Sequence, residues 1–272
     1  MDARQMSRIA EAAEAATLAS LVGLAGAEVR ERLGLDCRPI GGGLAVRMSA
    51  APDVPYFTRA LGLGQTEPLT ADVLTEALAY LREAGGGAVL VQLPPLLETP
   101  ETLDLLAAQG FERGRTWAKM MRPVGHAPSA ETDLRIERVG PERAQAFART
   151  FVTGMEMPDA LLPLAEAQTA AEGWTTYAAF DSDNVVATGA LFLHDGTAQL
   201  AGAATLPSHR GRGAQLALMA VRIAEAARLG ARWITAETGS ETPEEPNPSL
   251  HNMRRAGLEE LYPRQNWVLR LT

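Results

Sequence analysis

Ser208-His209-Arg210-Gly211-Arg212-Gly213-Ala214-Gln215 decides the reading of this chain. An apolar segment of strand length, residues 198–206, runs into it and stops at Pro207. Beyond it Leu216, Met219, Ala220, Ile223, Ala226 and Ala227 recur at helical spacing up to Gly230. A strand that turns through a glycine- and arginine-rich loop into a helix makes an anion site. The first helical N–H groups have no partner, the dipole is positive there, and glycine lets a ligand approach the backbone. Arginines add the charge-assisted bonds that phosphates favour. The spacing predicts a pyrophosphate cradle.

The stretch is no Walker A loop, because no Gly-Lys-Ser/Thr closes it. Nor does it have the G-x-G-x-x-G of a dinucleotide fold. It resembles the acetyl-CoA loop of the GCN5-related N-acetyltransferase (GNAT) family, whose pattern is Gln/Arg-x-x-Gly-x-Gly/Ala. Arg210 and Gly213 match, while Gln215 stands at the last small position. The order read beyond residue 132 is β-α-α-β-β-β-α-β-α-β, which is that family's order. The run 247–258, ending Ala256-Gly257-Leu258, looks like the family's last helix. The resemblance covers roughly residues 132–272.

Composition sets the outer bounds. The 272 residues suffice for one large or two ordinary domains, and 46% hydrophobic with 21% charged residues is ordinary for a globular chain. A net charge of −8 lacks the basic footprint of a nucleic-acid binder. No run reaches membrane-spanning length and no signal-peptide core follows the N-terminus, so a cytoplasmic protein is expected. Cys37 excludes an internal disulfide and reads as a buried structural thiol. His126, His194, His209 and His251 have no metal-ligand spacing, so no metal is expected.

Pro123 to Ala130, with two prolines among small residues, reads as a linker. The expected organisation is a domain over 1–122, a linker over 123–131 and a second domain over 132–272. Helices are expected over 2–33, 70–81, 101–109, 141–152, 159–172 and 249–255. Strands are expected over 44–48, 56–61, 88–93, 117–121, 134–139, 175–180, 185–193, 233–237 and 266–271. Ala107-Ala108-Gln109-Gly110-Phe111-Glu112 leading to Trp117 echoes Arg254-Arg255-Ala256-Gly257-Leu258-Glu259 leading to Trp267. The two halves thus read as a tandem repeat. The fold class expected is α/β: two GNAT-like acyl-CoA N-acyltransferase domains, each a mixed, mostly antiparallel sheet flanked by helices. In the first copy the loop 62–72 has no arginine, and Glu67 and Asp72 would repel a pyrophosphate, so that copy is read as degenerate, without CoA.

The resemblance implies direct attack of an amine on the thioester of acetyl-CoA. The pyrophosphate is expected over the N–H groups of Gly211, Gly213, Ala214 and Gln215, flanked by Arg210 and Arg212. Backbone groups near Ala204 and Leu206 should hold the pantetheine, and Asn247 and Asn252 its amides. Asn247 equally reads as a plain helix cap. For the base, Glu237 at a strand end is the candidate, with Glu156 second. The family's acidic tyrosine falls at Met253, which has no proton to give, and Tyr262, beyond the helix, would have to swing in to replace it. Glu241, Glu244 and Glu245 would draw a cationic acceptor. The function expected is acetyl transfer to a primary amine of a small cationic molecule. A CoA-binding sensor or scaffold, and a nucleotide-phosphate enzyme, are the competing readings. The first domain either covers the acceptor cleft or forms a homodimer; both stay open.

Overall fold

The alanine-rich start of the chain forms α1 (Ala3–Gly23), opened by the Asp2 carboxylate accepting from the Gln5 N–H. A short α2 (Ala27–Leu33) closes at Gly34, whose φ of +56° suits glycine. The computed structural model describes residues 1–52 and 54–271. Next come β1 (Asp36–Ile40), β2 (Gly43–Arg47), β3 (Arg59–Leu61), α3 (Ala71–Arg82), β4 (Gly87–Leu93), α4 (Pro100–Ala108) and β5 (Glu112–Pro123). The second half carries β6 (Arg135–Val139), α5 (Ala144–Gly154), α6 (Leu162–Ala167), β7 (Trp174–Asp181), β8 (Asn184–His194) and β9 (Thr197–Thr205). It ends with α7 (Ala214–Arg228), β10 (Trp233–Gly239), α8 (Pro248–Arg255) and β11 (Glu259–Leu271).

Two compact units result. The first is Met1–Lys119 with Glu237–Ser240 and Glu260–Thr272; the second is Met120–Ala236 with Glu241–Glu259. The linear division at 123–131 therefore does not describe the packing. The C-terminal strand lies in the first unit, where β11 pairs antiparallel with β4 from Gln265↔Leu93 to Leu271↔Gly87. Strand β5 also runs to Pro123, into the expected linker.

Strand order in the first unit is β1-β2-β3-β4-β11-β5. The core on one side of that sheet gathers Leu74, Leu78 and Leu81 of α3, Val89 and Val91 of β4, Leu106 of α4, and Trp267 of β11. In the second unit the order is β10-β9-β8-β7-β6, and α7 lays Leu218 against Ala179, Val186 and Ala187.

The chain path repeats. Antiparallel β1-β2-β3, a crossover helix α3 and parallel β4 match antiparallel β7-β8-β9, crossover α7 and parallel β10. The glycine ends that suggested the repeat also match in detail. Gly110 and Gly257 have φ of +84° and +78°. Phe111 N–H reaches the Leu106 carbonyl and Leu258 N–H the Met253 carbonyl, both at 3.0 Å. Each is the glycine-terminated helix end in which the residue after glycine bonds back five positions.

Several boundaries differ from expectation. Residues 56–61 make a single 3-10 turn (Pro55–Phe57) before the short β3. The helix expected over 159–172 breaks into α6 between two such turns, Asp159–Leu161 and Gln168–Ala170. Strand β1 was not expected, because Arg38 and Pro39 break the apolar pattern; among the described residues it pairs with β2 along one side.

Candidate cofactor-binding site

The site starts with a defect in a strand. Thr188 pairs with Ala204 and Ala190 with Ala201, so one residue of β8, Gly189, faces two of β9, Gly202 and Ala203. This is a β-bulge, and Gly202 holds φ +57° within it. Arg222 of α7 braces it from beneath. Its Nη1 donates to the Ala190 and Ala201 carbonyls at 3.0 and 3.2 Å, and its Nε to the Leu218 carbonyl at 2.9 Å. Gly189 makes the room, since a Cβ there would lie 2.8 Å from Arg222 Cζ. Burial, unrelieved by a carboxylate, lowers the Arg222 guanidinium to about 10. The bulge bends β9. Its parallel ladder with β10 pairs Thr197–Gln199 with Trp233–Thr235, whereas β9 itself continues to Thr205.

At the end of β9 a 3-10 turn (Pro207–His209) leads to the loop and α7. Gly211 and Gly213 have φ of +80° and +79°, and Gly213 is the N-cap residue, with no side-chain cap and no acidic residue in the first turn. The N–H groups of this helix start thus have no side-chain acceptor of their own. The starts of α2, α5 and α6 also lack a side-chain cap, whereas those of α3 and α8 have one. Thr70 accepts from Val73 N–H at α3, where Asp72 adds a carboxylate, and Asn247 accepts from Ser249 and Leu250 N–H at α8. A Cβ on Gly211 would meet nothing within 4 Å, so that side of the loop is open to a ligand. A phosphate fits the features present: open N–H groups, the positive helix end and an arginine.

The loop's back is clamped by the residues just before β6. Thr132 Oγ1 donates to the Arg212 carbonyl at 2.7 Å, and a Cβ on Gly213 would stand 2.1 Å from the Glu131 carbonyl oxygen. Arg212 bonds Asp133 through Nε at 3.1 Å and through Nη2, and bonds Asp181 through Nη1 at 2.6 Å. These bonds hold both carboxyls below their ordinary range and raise the guanidinium. His209 also reaches Asp181, at 3.2 Å. Arg212, expected beside the pyrophosphate, therefore anchors the loop. Arg210, whose Nε reaches only 3.4 Å toward the Thr205 carbonyl, is the exposed arginine.

The remaining expected ligands divide similarly. Ala204 is buried at the bulge, with its Cβ close to where a Cβ on Gly154 of α5 would stand. Leu206 is committed internally: its N–H donates to Val186 and its carbonyl accepts from His209. Asn247 is the cap of α8. Asn252 Nδ2 donates to Gln215 Oε1 at 2.7 Å and Gln215 Nε2 to Ser249 Oγ at 2.8 Å, so these side chains tie α8 to α7. Ala214 and Gln215 offer backbone N–H groups only.

Of the proton-transfer candidates, Tyr262 and Glu237 lie in the first unit, and Met253, Glu156 and Glu241 in the second. Tyr262 OH donates to Glu11 Oε1 at 2.8 Å and accepts from Ser7, and burial followed by the Glu11 charge raises the phenol. That corrects the idea of a tyrosine free to swing. Met253 is buried on α8, as an apolar core residue. Glu156 is exposed at φ +55°, and Glu241 pairs with Arg254 and His251. Glu237 is different. Its Oε2 lies 3.5 Å from Lys119 Nζ, and burial, then the Glu14 charge, push its carboxyl up, offset in part by Lys119, Arg264 and Arg59.

The network behind Glu237 was not anticipated. Arg264 binds Glu14 with both Nη atoms at 2.6 and 3.1 Å and Glu11 at 3.0 Å; Arg59 Nη1 binds Glu14 at 2.9 Å and Gln92 at 2.6 Å; Lys119 binds Glu14. Tyr56 and Trp117 stack beside the Arg59 guanidinium. Burial alone would raise Glu14, yet Arg264, Lys119 and Arg59 together hold it well below the usual range. The available signal was the spacing Ser7, Glu11, Glu14, a polar stripe on one face of an alanine-rich helix.

Residues 144–247 match the model of the acetyltransferase (GNAT) family. No curated protein matches the chain. Among solved structures, a GCN5-related N-acetyltransferase from Kribbella flavida is 19% identical with a TM-score of 0.61, covering 95% of this chain and 94% of its own. One from Sphaerobacter thermophilus is 15% identical at TM-score 0.61, over 87% and 76%. A tandem GNAT protein from the clavulanic acid biosynthesis pathway is 13% identical at 0.54, over 87% and 82%. The fold is GNAT-like α/β, and the family matched is one of enzymes that use acyl-CoA.

Proposed function

We propose that this chain, an acyltransferase-type enzyme by its match to the acetyltransferase (GNAT) family, moves an acetyl group from acetyl-CoA to the primary amine of a small cationic acceptor. The uncapped start of α7, with open space over Gly211 and Arg210 beside it, carries this reading. It would take the pyrophosphate, and the bulged end of β9 around Ala204 would take the pantetheine as an added strand. The acceptor nitrogen attacks the thioester carbonyl, the C–S bond breaks, CoA leaves as thiolate, and the amine proton passes to a base. Glu237, two residues beyond the last β10 residue paired with β9, is our base; a raised carboxyl is the stronger proton acceptor. With methionine at 253 the thiolate takes its proton from solvent. The net charge of −8 and exposed Glu244 and Glu245 favour a cationic acceptor.

The first unit we read as a degenerate copy without CoA, because Thr70 accepts from the Val73 N–H at the α3 start and Asp72 places a carboxylate in its first turn. Buried Met253 and the locked Tyr262 favour a second reading, a CoA sensor that does not turn over. Thiol release from acetyl-CoA across a panel of amines, with Glu237→Gln as control, separates the two. Amine-dependent release lost in the variant supports the enzyme. Binding without release for every amine supports the sensor.

A further inference from the structure

Glu237 is the accessible edge of an otherwise closed set of charges. Its side chain is 12% exposed, while Glu14, Lys119, Arg59 and Arg264 are exposed by 2% or less. Lys119 is shared, reaching Glu14 Oε2 on one side and Glu237 Oε2 at 3.5 Å on the other. The charged groups that face Glu237 come from four elements: Glu14 on α1, Arg59 on β3, Lys119 on β5 and Arg264 on β11. Tyr56 stands before β3, and Glu11 and Tyr262 lie one bond further back, on Arg264 and each other.

We propose that Glu14 and Lys119 are positioning residues that set the proton affinity of Glu237, so that the N-terminal helix tunes the base of the acyl transfer. The inference rests on the reading of Glu237 as that base. A second negative charge close to Glu14 is disfavoured, and the one ammonium between them, already bonded to Glu14, only partly offsets this. Glu14 is itself fixed by Arg264 and Arg59, so it stays charged while Glu237 titrates. Glu237 is therefore the carboxylate of the pair that takes up a proton first as pH falls, and the first unit keeps its buried charges for a reason other than binding CoA.

The test is a titration of Glu237 in the full-length protein by carbon NMR of labelled glutamate, the signal assigned by its loss in Glu237→Gln. The pH–rate profile of thiol release is measured alongside. Lys119→Met removes the cation and should move the Glu237 midpoint and the acid limb of the profile upward together, with Lys119→Arg restoring both. Glu14→Gln should move both downward. Where Glu14→Gln does not fold, Lys119→Met carries the test, since Glu14 retains two arginines. A midpoint unchanged in a folded Lys119→Met protein overturns the proposal. A midpoint that moves while the acid limb stays supports the tuning and overturns Glu237 as the base.

Discussion

Gly213 runs directly under Glu131: a Cβ on it would stand 2.1 Å from the Glu131 carbonyl oxygen, at a φ of +79°. Both the space and the backbone angle demand glycine. Gly211, at +80°, has the angle without the crowding. Gly213→Ala should lower stability by about 1–3 kcal/mol through strain, seen in chemical denaturation. Gly211→Ala should cost about 1 kcal/mol or little more, yet weaken acetyl-CoA binding by more than that. Equal losses of binding and stability in Gly211→Ala would count against a ligand over that residue.

The two loop arginines should behave differently. Arg210→Met removes an exposed charge with one long backbone contact, so folding is unaffected while CoA binding weakens roughly tenfold, the worth of one charge-assisted bond. Pantetheine, which lacks the phosphates, should bind both proteins alike. Arg212→Met unties the loop from Asp133 and Asp181 and should raise hydrogen exchange over 209–216 before any ligand is added.

Acid should destabilise the first unit through Glu14. Its carboxyl is held below the ordinary glutamate value of 4.5, so the unfolded chain binds the proton more readily than the folded one. The stability it contributes is complete above that value and is lost as pH falls through the lower folded one. Glu237, pushed the other way, contributes in the opposite sense: its share is lost as pH rises through its folded value. Denaturation midpoints between pH 3 and 7 should fall on the acid side, and Glu14→Gln should flatten that fall. At neutral pH this variant should lose about 3–5 kcal/mol, the cost of stranding buried cations.

Ending the chain after residue 259 should damage the first unit although the cut is at the far end of the sequence. Strand β4 would lose its antiparallel partner, and the α3–β4 core would lose Trp267. Hydrogen exchange over 87–93 reads this directly. Full protection there in the truncated chain would contradict the pairing.

Much of this was legible in the sequence, for identifiable reasons. The loop at 208–215 declared itself because glycine, arginine and a helix start are local signals. The hairpin at 174–194 and the α3 cap at Thr70 did so too. The bulge at Gly202 and its brace Arg222 were hidden, because a bulge is a register difference between strands and Arg222 reads as one charge on an apolar helix. The charge network was hidden likewise: Glu14, Arg59, Lys119 and Arg264 are far apart in sequence and each looks like an ordinary surface residue. The packing of β11 in the first unit was beyond local reading, since nothing in 259–271 names its partner. Asn247, Asn252 and Arg212 bond within the chain, which spacing alone does not show.

Acyl-CoA should sit on the loop opening α7 and nowhere on the first unit's counterpart. Backbone amide NMR of the labelled protein, titrated with acetyl-CoA, tests it most directly. Saturable shifts are expected at Gly211, Arg212, Gly213, Ala214 and Gln215, with residues 62–72 unmoved. Shifts confined to 62–72, or displacement of acetyl-CoA by ATP at the 211–215 amides with no preference for CoA, would contradict it.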